Sequence, residues 1–172
     1  MQNKLLLIFF IFLFGFIFFI FFKSLDKEST YSPNKIIKKD IPVFVSKIFN
    51  SNRNFTSKEV FNKDEYYLLN IWASWCIPCK EEHHLIMNLS KIKKINVIGL
   101  NYKDNMGNAK KFLKELGNPN EKILIDHNGT LAIEWGAYGV PESFFIFKDK
   151  ILKRYIGPLN KENVNEILSF TK

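Results

Sequence analysis

From Leu5 to Phe22 the chain is an unbroken run of Leu, Ile and Phe interrupted only by Gly15, with Lys4 before it and Lys23 after it. As a helix, a run of this length rises about 27 Å, close to the roughly 30 Å hydrocarbon core of a bilayer. A helix buried in a water-soluble domain would carry a polar face, and this one has none. A cleaved export signal is the competing reading, but its apolar region is usually about 7–15 residues long and ends in a small-residue cleavage site. Here Lys23-Ser24-Leu25-Asp26 follows. Residues 1–23 are therefore read as a retained membrane anchor, a single transmembrane helix.

Residues 24–40 are polar, rich in lysine and interrupted by Pro33, which reads as a tether, and residues 41–172 remain for one folded domain. Lys23, Lys27, Lys35, Lys38 and Lys39 follow the apolar run while only Lys4 precedes it. By the positive-inside rule that bias points against export, but the rule weakens when a whole domain follows the anchor. The net charge of +8 raises the question of an acidic partner. Nucleic acid is not indicated, because the lysines are scattered among Asn and Glu and no base-stacking motif accompanies them.

Within the domain, Pro42 to Phe49 reads as a short edge strand and Tyr66 to Trp72 (YYLLNIW) as a strand buried on both faces. A helix over Ile77 to Lys91 and a second buried strand over Ile95 to Leu100 follow. Asn108 to Leu116 forms an amphipathic helix with Ala109, Phe112, Leu113 and Leu116 on one side, stopped by Gly117 and Pro119. Lys122 to Asp126 is a third strand and Gly129 to Trp135 a short helix or turn. Ser143 to Phe147 and Ile151 to Tyr155 make a hairpin, and Asn160 caps a last helix ending near Phe170. Such alternation implies an α/β fold with a mixed central sheet and helices on both faces.

The only two cysteines, Cys76 and Cys79, stand in a C-x-x-C pair directly after a buried strand and at the start of a helix. The unpaired N–H groups and positive dipole end of that helix favour a thiolate on the first cysteine. Cys79, one turn in, is placed to attack a mixed disulfide formed there. Pro78 suits the first helical turn, where a missing N–H costs nothing. A zinc site with His83, His84 or His127 is disfavoured by count, since structural zinc usually takes four ligands from two knuckles and no second cysteine pair exists. Haem attachment would require C-x-x-C-H, and Lys80 follows Cys79. A purely structural disulfide would close too short a loop to constrain much unfolded-chain entropy. His83 and His84 read by default as solvated helix residues, and Trp72 as core.

The cysteine segment reads LLNIWASWCIPCKEEH, with GLNYKDN after the second buried strand, FLKELGNP in the next helix and YGVPESF before the hairpin. In this combination and order the chain resembles the thioredoxin superfamily and, within it, the branch that serves cytochrome c maturation, the CcmG/DsbE family. The similarity extends over about residues 41 to 170. It implies a thioredoxin-like fold, Cys76 as nucleophile, Cys79 as resolving thiol and Pro141 as a cis-proline facing the pair. Glu82 and Glu142 match the acidic positions of this branch, and Asn70 stands where thioredoxins proper carry a buried Asp. Trp75, beside the nucleophile, and Val140, before the proline, are expected to meet the substrate. Ile77 and Val140 are departures from common family residues that leave the chemistry intact.

The resemblance also implies a reductant tethered to the bacterial inner membrane with its catalytic domain in the periplasm. Its partners would be an apocytochrome c, or a maturation factor, carrying a C-x-x-C-H disulfide, and a membrane thiol-disulfide electron donor. Dithiol exchange calls for no cofactor. Two alternatives stay open: an anchored reductase for other periplasmic disulfides, and a non-redox module that binds apocytochrome. Glu82 and Glu142 are expected to place negative charge near Cys76, disfavouring its thiolate, with one of them relaying the proton of Cys79. The bland reading of Glu82 is a solvated helix residue.

Overall fold

The structure, a computed structural model, describes residues 2–25, 39–51, 53–62 and 64–171. It falls into two compact units, one holding the N-terminal helix and the other everything from the first strand onward. Most of the expected tether, including Pro33, lies outside the described residues.

The N-terminal unit is helix α1 (Gln2–Leu25), whose described side chains are all exposed. Its window Leu6–Lys23 is long and apolar enough to cross a membrane. No side of α1 is polar enough to face water or sheltered enough to be core, so its apolar surface requires a non-aqueous surrounding.

The second unit runs β1 (Lys39–Asp40), β2 (Val45–Lys47), β3 (Asn54–Thr56), α2 (Ser57–Val60), β4 (Tyr66–Trp72), α3 (Ile77–Leu89) and β5 (Ile95–Tyr102). It continues with α4 (Met106–Leu116), β6 (Lys122–Asp126), α5 (Thr130–Glu134), β7 (Glu142–Phe147), β8 (Lys150–Ile156) and α6 (Lys161–Phe170). Six strands form one mixed sheet in the order β1-β8-β7-β4-β5-β6. β4, β5 and β6 pair in parallel, while β7 and β8 return antiparallel on the other side of β4.

Alternation along β4 explains why it carries apolar side chains on both faces. Tyr67, Leu69 and Ile71 enter a cluster with Phe44, Phe61 and Trp135, whereas Leu68 enters the opposite one with Ile86, Leu89 and Ile167. Successive side chains of a strand point to opposite faces, and both faces here are covered. Asn70 shares the parity of Leu68, which turns it toward α3. A third cluster, of Trp72, Ala73, Cys76, Cys79, Ala109, Phe112 and Ile123, closes the C-terminal end of β4. Gly99 permits it: a Cβ there would lie 2.8 Å from Trp72 Nε1 and from Asn120 Oδ1.

Several boundaries differ from expectation, and three of them have an identifiable cause. Pro42 to Phe49 joins the main sheet only at its end, where Ile48 bridges Leu124 on the β6 edge and Phe49 N–H donates to the Ile123 carbonyl at 2.8 Å. Its middle, β2, pairs antiparallel with β3 in a separate two-stranded sheet, through a turn in which Asn50 takes φ 62°. The opposite edge is β1, from the stretch read as tether, where Lys39 and Asp40 pair with Ile151 and Lys150. The second amphipathic helix starts at Met106 rather than Asn108, because Asn105 caps it by accepting the N–H groups of Gly107 and Asn108.

Candidate active site

β4 ends at Trp72, and Ala73 to Trp75 carry the chain into α3 with Cys76 as its N-cap. The cap is unusual in kind: Cys76 Sγ, instead of a hydroxyl or carboxylate, accepts the N–H of Cys79 at 3.1 Å. The sulfur therefore sits against the positive end of a 13-residue helix. Cys76 and Cys79 are joined as a disulfide with Cα atoms 5.3 Å apart, and both are buried, at 3% and 2% exposure. The rim is apolar and open, with Trp75 56% and Ile77 69% exposed. Among the described residues no group of three or more His, Cys, Asp and Glu side chains is placed to hold a metal ion.

The loop before Cys76 is clasped from the end of β5 and the turn that follows it. Asp104 Oδ2 accepts Ser74 N–H at 2.6 Å and Asn101 Nδ2 at 2.9 Å, while Oδ1 accepts Ser74 Oγ at 2.7 Å and Asn105 N–H at 2.8 Å. Trp75 Nε1 donates to the Lys103 carbonyl at 3.1 Å, which fixes the indole at the rim. Ser74, Asn101 and Asp104 carry no role in the sequence reading. The signal was present in NYKD, but a pairing across 30 residues is invisible without the sheet.

Glu82 is not a solvated helix residue. Three residues after Cys79, it is 2% exposed; Oε1 accepts Asn70 Nδ2 at 2.8 Å and Oε2 accepts the Leu159 N–H at 2.6 Å. Asn70 Nδ2 also donates to Ser143 Oγ at 3.0 Å, so the carboxylate ends a buried polar chain crossing β7, β4 and α3. Burial outweighs these hydrogen bonds and pushes Glu82 from the ordinary 4.5 up to about 7. A carboxyl poised near neutrality, three residues after Cys79 on α3, can hold or give up a proton.

Glu142 departs from expectation differently. It is buried at 1% exposure, but Arg154 Nε and Nη2 donate to its Oε2 at 2.8 and 2.6 Å. Its negative charge is therefore balanced, and the pair's combined field at Cys76 is that of a dipole rather than a free anion. Oε1 accepts the N–H groups of Tyr138 and Gly139 at 2.6 and 3.1 Å, tying down the chain before the Val140–Pro141 peptide, which is cis. Pro141 is buried and Val140 packs against the cysteine cluster.

His83 is a second correction to the solvated reading. It is 8% exposed, its Nε2 lies 3.0 Å from the Gly117 carbonyl, and its ring meets the Phe112 ring edge-on at 5.0 Å. Burial lowers its pKa. His84, on the other side of α3, is exposed, and Trp72 is core at 4% exposure.

A family model described as Redoxin matches residues 37–168. The chain is 45% identical over 105 residues to the thiol:disulfide interchange protein CycY of Rhizobium leguminosarum bv. viciae, covering 60% of this chain and 56% of that protein. It is 35% identical over 147 residues to the thiol:disulfide interchange protein DsbE of Vibrio cholerae, covering 85% of this chain and 79% of that one. Among solved structures, a DsbF homologue from Corynebacterium diphtheriae superposes with a TM-score of 0.70 at 17% identity, over 83% of this chain and 96% of that one. That likeness establishes the thioredoxin-like fold.

Proposed function

The chain belongs to the Redoxin family and, within it, to the thiol:disulfide interchange proteins of the DsbE and CycY kind, and from that premise we propose that it serves as the reductant of cytochrome c maturation. It is a thiol:disulfide oxidoreductase acting through the C-x-x-C pair. The observation that carries the assignment of roles is the capping of α3 by Cys76 Sγ, which selects that sulfur as the thiolate.

In the reduced protein, Cys76 thiolate attacks one sulfur of the partner's disulfide, whose S–S bond breaks as a mixed disulfide forms. Cys79, having lost its proton, then attacks the Cys76 sulfur. The partner leaves as a dithiol, two electrons have passed to it, and Cys76–Cys79 is the disulfide that remains. Glu82 accepts the Cys79 proton in this scheme, and Trp75 and Val140 flank the incoming chain. Pro141 and Glu142 shape the loop on which it lies.

The partner is an apocytochrome c with an oxidised C-x-x-C-H segment, or a maturation factor linked to it, and a membrane thiol:disulfide donor returns the protein to its reduced state. Helix α1 supports a retained single-pass anchor, with the domain in the periplasm, where disulfides persist. The test is complementation in a bacterium lacking its own interchange protein. The parent restores holocytochrome c, and a variant with both Cys76 and Cys79 replaced by Ser does not. Full restoration by that variant would defeat the redox role in favour of a binding one.

A further inference from the structure

Arg154 reaches from β8 to the loop that precedes β7. Its two-pronged contact with Glu142 Oε2 leaves Oε1 to accept the Tyr138 and Gly139 N–H groups. The guanidinium carbon also lies 4.6 Å from the centroid of the Tyr138 ring and 5.4 Å from that of Phe144. From the end of the same strand, Gly157 N–H donates to the Pro141 carbonyl at 3.0 Å. One side chain thus holds the carboxylate that organises the loop and underlies the ring that the loop displays.

A buried ion pair is a weak source of stability, because desolvation offsets most of its attraction. What it secures well is position: two guanidinium N–H groups converge on Oε2 while two backbone N–H groups hold Oε1, so the carboxylate is fixed from both sides. The geometry secured here faces the cysteines: Val140 packs on their cluster, and Tyr138, at 75% exposure, stands two residues away. We infer that Arg154 is a positioning residue that sets the preference for polypeptide disulfides over small ones. It holds Tyr138 and the 138–141 loop where the chain flanking a partner's cysteine lies across them. A small disulfide needs only the sulfur of Cys76, whereas a polypeptide needs the loop as well.

This rests on the reading of Cys76 and Cys79 as the exchange pair, so the test uses two oxidants. Full-length protein in detergent, recycled by dithiothreitol, is assayed with 2-hydroxyethyl disulfide and with a synthetic peptide bearing an intramolecular C-x-x-C disulfide. Loss of the fork and of the stacked cation in Arg154→Met should raise the peptide KM about tenfold. The rate on the small disulfide should stay within about twofold. Arg154→Lys, which keeps the charge without the fork, should fall between. Tyr138→Leu changes an exposed ring, leaves folding intact, and should raise the peptide KM alone. Equal slowing of both oxidants by Arg154→Met, or a peptide KM unmoved in Arg154→Met or Tyr138→Leu, would overturn the inference. A parent that reduces neither oxidant would instead remove the exchange reading on which it stands.

Discussion

Asn70 Nδ2 stands 2.8 Å from Glu82 Oε1, so the strand that leads into the cysteine loop holds the carboxylate of the helix that leaves it. In thioredoxins proper the strand position carries the acid. Here the strand supplies an amide, Asn70, and the buried carboxyl next to it comes from Glu82 on α3.

That carboxyl should write itself into the pH dependence of stability. Burial raises Glu82 from 4.5 to about 7, so between these values the folded protein keeps a proton that the unfolded chain has released. Stability contributed by Glu82 is therefore complete below the lower value and falls as pH rises through about 7, by about 3 kcal/mol in all. Urea unfolding at pH 5 and pH 8 should show Glu82→Gln gaining on the parent across that interval. Parallel changes in the two proteins would mean that Glu82 is ionised throughout.

The Glu142–Arg154 pair makes a distinct electrostatic prediction. Glu142→Gln leaves the Arg154 cation unbalanced and should lower the Cys76 thiol pKa by about 1 unit or less, as read by thiolate absorbance. Removing both charges, in Glu142→Gln with Arg154→Met, should return the titration close to that of the parent. A double variant displaced as far as the single one would show that the two charges do not act on Cys76 as a pair.

Asp104→Asn should destabilise the protein by about 2–3 kcal/mol, because both carboxylate oxygens are filled by donors and an amide must set one N–H group against another. Ser74→Ala, which loses a single hydroxyl bond, should cost about 1 kcal/mol. Thermal unfolding measures both. Trp75 fluorescence, sensitive to the indole bond to Lys103, should change in the Asp104 variant alone. Equal stability of the two variants would show that the carboxylate is not the centre of the clasp.

Cys79→Ser should accumulate covalent complexes with the natural partner, visible on non-reducing gels and lost on reduction, since Cys76 still attacks and nothing resolves the product. Cys76→Ser should trap nothing. Equal trapping by both would reverse or dissolve the assignment made from the cap.

The orientation of the membrane helix can be read with C-terminal reporter fusions. A reporter active only after export should work on this chain despite the five lysines that follow the apolar run. Activity from a cytoplasmic-only reporter would place the domain on the other side and return weight to the charge bias.

Features with a local physical cause were legible in the chain. Cys76 and Cys79 could be set at a helix start because Pro78 and the preceding apolar strand are neighbours in sequence, and the succession of strands and helices from Tyr66 onward followed from apolar runs and their breaks. The motif YGVPESF pointed to Pro141 through resemblance. Where the reading failed locally, as at the start of α4, the missed element was a cap, Asn105, in a stretch where Asp104, Asn105 and Asn108 all have cap chemistry.

Burial state and pairing were decided by the tertiary structure. Glu81 and Glu82 are adjacent and chemically identical on paper; one is exposed and the other is 2% exposed, because a helix turns about 100° per residue and only the packed sheet defines which side is inward. The same holds for His83 against His84. Glu142 and Arg154 lie 12 residues apart on antiparallel strands, and Ser74 and Asp104 lie 30 apart in the loops that follow two parallel ones. A charge or a hydrogen bond acts through space over a few ångströms, whereas sequence separation records only the path of the chain. The redox pair was therefore determined by the sequence, and the groups that surround it, hold it and balance its field were determined by the fold.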